Sequence, residues 1–289
     1  MSANPGIARP IGRLGQHIEL YNSHLERGRI RHAVFDFDGT LSLIRAGWQE
    51  VMVEQFVDIL AATSTRESRD ELAHICRNFI ARLTGKQTIY QMFQLVDEVA
   101  RRGGAPLPAL EYKAAYLDLL QDHIAHRIAA LQNGREHPKR YRVRGSTALL
   151  ENLKRRGVTC YLASGTDHKY VVAETELLEL TAYFGGRIYG AQEDHTAFSK
   201  KMLIERILAD NQLRGAELAV FGDGYVEIEN AKAVDGIAVG IASFEGDGGG
   251  WDPWKKNRLL QVGADVLVPD WREADLLLSY LFDGEANKC

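Results

Sequence analysis

Cysteine is scarce in this sequence: three in 289 residues, at positions 76, 160 and 289. They are far apart and odd in number, so no disulfide framework and no thiolate metal site can be read from them. A reducing, cytoplasmic setting is the expectation. Apolar runs of membrane-spanning length are also missing, which argues against a bilayer-crossing helix. The first residues carry no apolar signal core. Positive charge is not in excess. The net charge is -4 at pH 7, so neither nucleic acid nor an acidic membrane surface is an expected partner. What is present is an ordinary globular composition, 45% hydrophobic and 26% charged. The length suits one large domain or two modest ones.

One stretch departs from that ordinary background: His32-Ala33-Val34-Phe35-Asp36-Phe37-Asp38-Gly39-Thr40-Leu41. A short apolar run bounded by a glycine turn reads as a buried strand. Side chains alternate along a strand, so Asp36 and Asp38 start on the same face. Unpaired carboxylates in an interior are strongly disfavoured. A cation at the strand end would resolve that conflict. A plain Asp-Gly turn with solvated acids would account for the same letters.

Residues 1 to about 10 read as a loose tail. An amphipathic helix is expected over 11–25, from Leu14, Ile18, Leu20, Tyr21 and Leu25. From about 47 to 134 the pattern is helical four times over, with no strand between. Ser68-Arg69-Asp70-Glu71 is a capping-box signature for the second of these helices, whose apolar stripe is Leu72, Ile75, Phe79 and Leu83. Beyond Tyr141 strands and helices alternate, with strands expected at 158–163, 186–189, 218–221, 237–241 and 266–268. That alternation predicts an α/β fold, a parallel sheet covered on both faces by helices. The core is assigned to residues 1–44 and 135–289, of which 1–28 form the tail and first helix. An inserted all-helical subdomain takes 45–134. Ligands of such sheets bind beyond the carboxyl ends of the strands.

Polar chemistry collects at those ends. The first strand ends in Asp36-Phe37-Asp38-Gly39-Thr40, and the next in Ser164-Gly165-Thr166. The pair Lys200-Lys201 opens a helix. A later strand ends in Gly222-Asp223-Gly224, with Glu227 four residues beyond Asp223. In this order the four pieces resemble the haloacid dehalogenase-like hydrolase superfamily, specifically its phosphatase members. The resemblance covers about 30–269. It implies a Rossmann-like three-layer α/β/α core. The gap from Asp38 to Ser164 far exceeds the roughly 30 residues of a simple βαβ unit. The surplus matches the helical cap, of the so-called C1 type, that the resembling phosphoglycolate phosphatase and β-phosphoglucomutase-like enzymes carry.

The resemblance implies roles. Asp36 is the nucleophile that forms an aspartyl-phosphate, and Asp38 is the acid/base. Asp36, the backbone carbonyl of Asp38 and Asp223 hold Mg²⁺, a hard ion that prefers oxygen. Glu227 acts on the metal through water or orients a ligand, and it stands where many relatives have Asp. Thr40, Ser164, Gly165 and a lysine hold phosphate. In family members that lysine precedes a helix with apolar positions four and seven residues on. These are Ile204 and Ile207 from Lys200, but Glu205 and Leu208 from Lys201, which favours Lys200.

Arg45, Trp48 and Lys86 are candidates for substrate specificity, set against a surface Arg, a core Trp and a plain interhelix loop. The glycine-rich loop at 246–250 is either a mobile lid or a solvent loop. The expected activity is Mg²⁺-dependent hydrolysis of the phosphomonoester of a small metabolite, a sugar phosphate or a phosphoglycolate-like acid. A phosphosugar mutase of the same fold and a non-enzymatic binding module are the alternatives.

Overall fold

The computed structural model describes residues 9–246 and 249–283. Its N-terminal segment corrects the expected helix. Strands β1 (Gly12–Leu14) and β2 (Ile18–Leu20) form an antiparallel hairpin. Gly15 turns the chain at φ +56°. The Glu273 carboxylate accepts the backbone N–H groups of Gln16 and His17, both at 2.9 Å. The physical reason is tertiary. The outer edge of a sheet offers unpaired backbone groups, and β2 takes them by pairing antiparallel with the last strand. Spacing alone does not reveal that edge.

The central strand β3 (His32–Phe35) lies between β4 (Thr159–Asp167) and β6 (Leu218–Gly222), parallel to both. β5 (Ile188–Ala191) extends the sheet beyond β4. On the other side come β7 (Ile237–Ile241) and β8 (Val266–Val268). The order is β1-β2-β8-β7-β6-β3-β4-β5. Strand alternation divides the core in two. Ala33, Phe35, Leu162, Phe221 and Val239 pack into one apolar cluster, whereas Val34, Ala163, Val220 and Ala238 pack into the other. A parallel sheet buried on both faces needs both.

Between β3 and β4 stand four helices: α1 (Trp48–Ala61), α2 (Arg69–Leu83), α3 (Ile89–Arg101) and α4 (Ala109–Gln132). Ser68 and Glu71 form the reciprocal capping box expected at the start of α2. α5 (Ser146–Arg155), α6 (His168–Leu177) and the single turn α7 (Thr181–Phe184) contribute to the first cluster. α8 (Lys200–Asn211), α9 (Tyr225–Lys232) and α10 (Pro253–Gln261) contribute to the second. The closing helix α11 (Ala274–Phe282), which was not anticipated, buries Leu277, Leu278 and Leu281 in the first cluster. No described helix is long and apolar enough to cross a membrane.

The helical insert is tied down onto the strand ends. Gln87 Nε2 donates to the carbonyls of His195 and Phe198, at 2.9 and 2.6 Å. Lys113 pairs with Asp167 at 2.5 Å. Arg258 donates to the Arg82 carbonyl at 2.8 Å.

Trp271 links core and loop. It is 1% exposed, packs edge-on against Phe221, and donates its indole N–H to the Thr40 carbonyl at 2.8 Å. Trp271→Ala should cost about 3–5 kcal/mol, as large-to-small core changes of this size do. Urea unfolding of both proteins measures it; a change within 1 kcal/mol would contradict the packing described.

Candidate active site

β3 ends by delivering Asp36, which is 7% exposed and donates its backbone N–H to Phe221 at 2.9 Å. The chain then turns tightly, with the N–H groups of Thr40, Leu41 and Ser42 all directed at the Phe37 carbonyl. Gly39 sits at φ +72°, and a Cβ there would strike the Asp223 carboxylate. Glycine therefore allows the first loop and the β6 loop to meet. Thr40 is fully buried and does not line the cavity. Its hydroxyl accepts the Asp223 N–H at 3.1 Å, so it braces two loops.

Lys200 enters the site beside Asp36. Its Nζ lies 2.7 Å from Asp36 Oδ1 and also contacts Glu227 Oε1. Lys201 is exposed and points to Glu205. Glu227 is thus a partner of Lys200, with its other oxygen, Oε2, buried and unpartnered. On the opposite side, Thr166 Oγ1 donates to Asp38 Oδ2 at 2.9 Å. Arg45 Nε lies 4.0 Å from Asp38 Oδ1, an oxygen with no hydrogen bond. Arg45 lines the cavity, but its guanidinium is bound to Glu174, at 3.0 Å from Nε and 2.6 Å from Nη2.

Ser164 is buried, and its Oγ accepts the Thr166 N–H at 3.0 Å. A Cβ on Gly165 would sit 2.6 Å from the Lys86 carbonyl, so the insert presses on this turn. Trp48 lines the cavity, half-buried. Lys86 lines it too, exposed, with its ammonium 5.7 Å from the Tyr90 ring centre. The cavity that these residues share with Asp36, Asp38 and Asp223 holds about 80 Å³. That is well below the roughly 300 Å³ at which small-molecule pockets begin.

Sequence reasoning missed Lys255. Its Nζ bridges Asp223 Oδ2 at 2.7 Å and Glu245 Oε1 at 2.5 Å. A signal existed in Asp252-Pro253, a helix start. Asp252 does cap α10, which puts Lys255 in the first turn after the loop that follows β7. Of the glycine-rich loop, positions 247 and 248 lie outside the described residues. Glu245, just before it, lines the cavity.

The sequence profile of the haloacid dehalogenase-like hydrolases matches residues 30–235. The chain belongs to that family. No curated protein matches the chain in sequence. Among solved structures similar to this hydrolase is a family IA, variant 3 haloacid dehalogenase hydrolase of Entamoeba histolytica. It has a TM-score of 0.58 and 18% identity, over 87% of this chain and 99% of that one. A "predicted phosphoglycolate phosphatase" of Haemophilus somnus gives 0.56 and 13%, over 85% and 96%. CbbY of Rhodobacter sphaeroides, in complex with phosphate, gives 0.52 and 18%, over 84% and 96%. At these identities the likeness is one of fold.

The hydrolase gathers six carboxylates here, Asp36, Asp38, Glu174, Asp223, Glu227 and Glu245, against three cations, Arg45, Lys200 and Lys255. Burial pushes the Asp36 carboxyl up to about 6, with Asp223 pushing the same way and Lys200 opposing. Burial also pushes Asp38 up to about 7, against the pull of Arg45 and with Glu174 and Asp36 adding to the rise. Among the described residues no three His, Cys, Asp or Glu side chains converge as ligands. Two carboxylates, a carbonyl and water are nevertheless a donor set that Mg²⁺ accepts. The oxygen-only donors and the excess of acid fit that ion.

A raised carboxyl makes the folded state the better proton binder, so this contribution to stability falls as pH rises from the unfolded value near 4 through the folded one near 7. In metal-free protein, Asp38→Asn should flatten the drop in Tm between pH 5 and pH 8. An unchanged slope in calorimetry would show that Asp38 does not titrate there.

Proposed function

We propose that this hydrolase cleaves the phosphomonoester of a small metabolite, using Mg²⁺ and an aspartyl-phosphate on Asp36. The observation that carries the reading is the different partners of two neighbouring acids. Asp36 is ion-paired to Lys200, which favours the carboxylate that attacks and opposes the rise that burial imposes on it. Asp38 accepts from Thr166 and is likewise raised by burial, so it can both give and take a proton near neutral pH.

Asp36 attacks phosphorus while Asp38 protonates the departing ester oxygen. Asp38 then takes a proton from water, which attacks the same phosphorus and frees the Asp36 carboxylate. Lys200 neutralises phosphoryl charge at Asp36. The backbone N–H groups at Ser164 and Gly165 offer donors to the phosphoryl oxygens, as positioning and neutralisation are most of what phosphoryl transfer requires. Asp36, the Asp38 carbonyl and Asp223 would hold Mg²⁺, which when bound supplies the remaining positive charge. Glu227 keeps Lys200 aimed at Asp36.

The leaving group would face Trp48, Lys86 and Arg45. The cavity as it stands is smaller than a sugar phosphate or a phosphoglycolate-like acid needs, so admitting either one requires the insert to swing away. The "phosphoglycolate phosphatase" name of the Haemophilus somnus structure and the phosphate bound to CbbY support the same substrate class.

Phosphate release from a panel of phosphorylated metabolites, with Mg²⁺ and with a chelator, tests the reading. Asp36→Asn should abolish turnover with the fold intact by circular dichroism. Lys200→Ala should lower kcat/KM about 10²–10³-fold, the loss of a charged stabiliser of a few kcal/mol. Chelator-resistant release, or turnover by Asp36→Asn near the wild-type rate, would overturn it.

A further inference from the structure

Lys255 plays no part in the chemistry proposed above, yet it is among the most enclosed cations of the site. It is 6% exposed, so little water can share its charge. Its ammonium lies 2.7 Å from Asp223 Oδ2 and 2.5 Å from Glu245 Oε1. The lysine's own backbone and the loop that carries Glu245 are both held in place. Asp252 accepts the N–H groups of Trp254 and Lys255 at the start of α10. Ser243, two residues before Glu245, donates its hydroxyl to the Gly39 carbonyl at 2.8 Å, which fastens this loop to the loop that carries Asp38.

We propose that Lys255 is a positioning residue that sets the divalent-metal affinity of the site. It occupies one oxygen of Asp223, and Glu245 draws the same ammonium away from it. The inference rests on the metal reading above and concerns only this chain's own residues. An ion bound by Asp223 must share that carboxylate with a fixed positive charge, and like charges a few ångströms apart in a partly dry site repel appreciably. Lys255 thus confines Asp223 to its other oxygen and weakens the site for the metal. Glu245 offsets that repulsion by taking part of the hold on the ammonium. Among the described residues the three cations each sit between two acids; Lys200 and Lys255 both touch an expected metal ligand, but Lys200 also has phosphoryl charge to neutralise, whereas Lys255 has only Asp223 and Glu245.

The experiment measures free Mn²⁺ by its electron paramagnetic resonance signal, with no substrate and no turnover. Lys255→Met should tighten Mn²⁺ binding about tenfold, as removal of a close like charge does. Glu245→Gln should loosen it several-fold in the wild-type background but leave the affinity of Lys255→Met unchanged, because it acts through the lysine. Lys255→Gln keeps amide contacts to both acids and reads the same way if the methionine variant does not fold. Unchanged or weaker Mn²⁺ binding in both lysine variants overturns the proposal. So does an equal loss from Glu245→Gln in both backgrounds, which would make Glu245 a ligand. A wild-type protein that binds no Mn²⁺ overturns the metal reading itself, and this inference with it.

Discussion

Carboxylates crowded at the end of a central strand repel one another, and this site exists because a cation is lodged between each neighbouring pair. Lys200 lies between Asp36 and Glu227, Arg45 between Asp38 and Glu174, and Lys255 between Asp223 and Glu245. Each trio carries one more negative charge than positive. A buried ion pair is weak evidence for stability, but removing one partner of such a pair is costly. The three trios therefore define the shape of the site more than they stabilise the fold. Their shared surplus of acid is what a divalent ion would relieve.

The trios come from separate parts of the chain, and the parallel sheet is what assembles them. β3 and β6 lie side by side in register, so the loops that follow them emerge together. Gly39 removes the side chain that would hold those loops apart, and Thr40 bonds across the gap to the Asp223 backbone. Trp271 closes the same corner from beneath by donating to the Thr40 carbonyl. A change in this corner would reach the chemistry without touching a reacting atom.

The helical insert supplies the remaining wall. Gln87 is fastened to the carbonyls before α8, and the Lys86 carbonyl presses on Gly165. The insert thus bears on the Ser164–Gly165 end of β4 and sits close to the helix that carries Lys200.

The alternation of strands and helices and the capping box at Ser68 and Glu71 were legible in the sequence, because each rests on local periodicity or on a helix-start signal. The acids at strand ends were legible too, since a carboxylate at the end of an apolar run has few structural uses. The hairpin at β1 and β2 was not legible, because its stability comes from a sheet edge formed by residues more than 200 positions away. Neither was the role of Thr40, nor those of Glu174 and Lys255, which are ordinary charged helical residues until folding sets them beside an acid. Amino-acid order by itself determined that Asp36, Asp38 and Asp223 would emerge together at one edge of the sheet. Tertiary structure alone decided which charge neutralises which, because ion pairing depends on distances between segments that no spacing along the chain records.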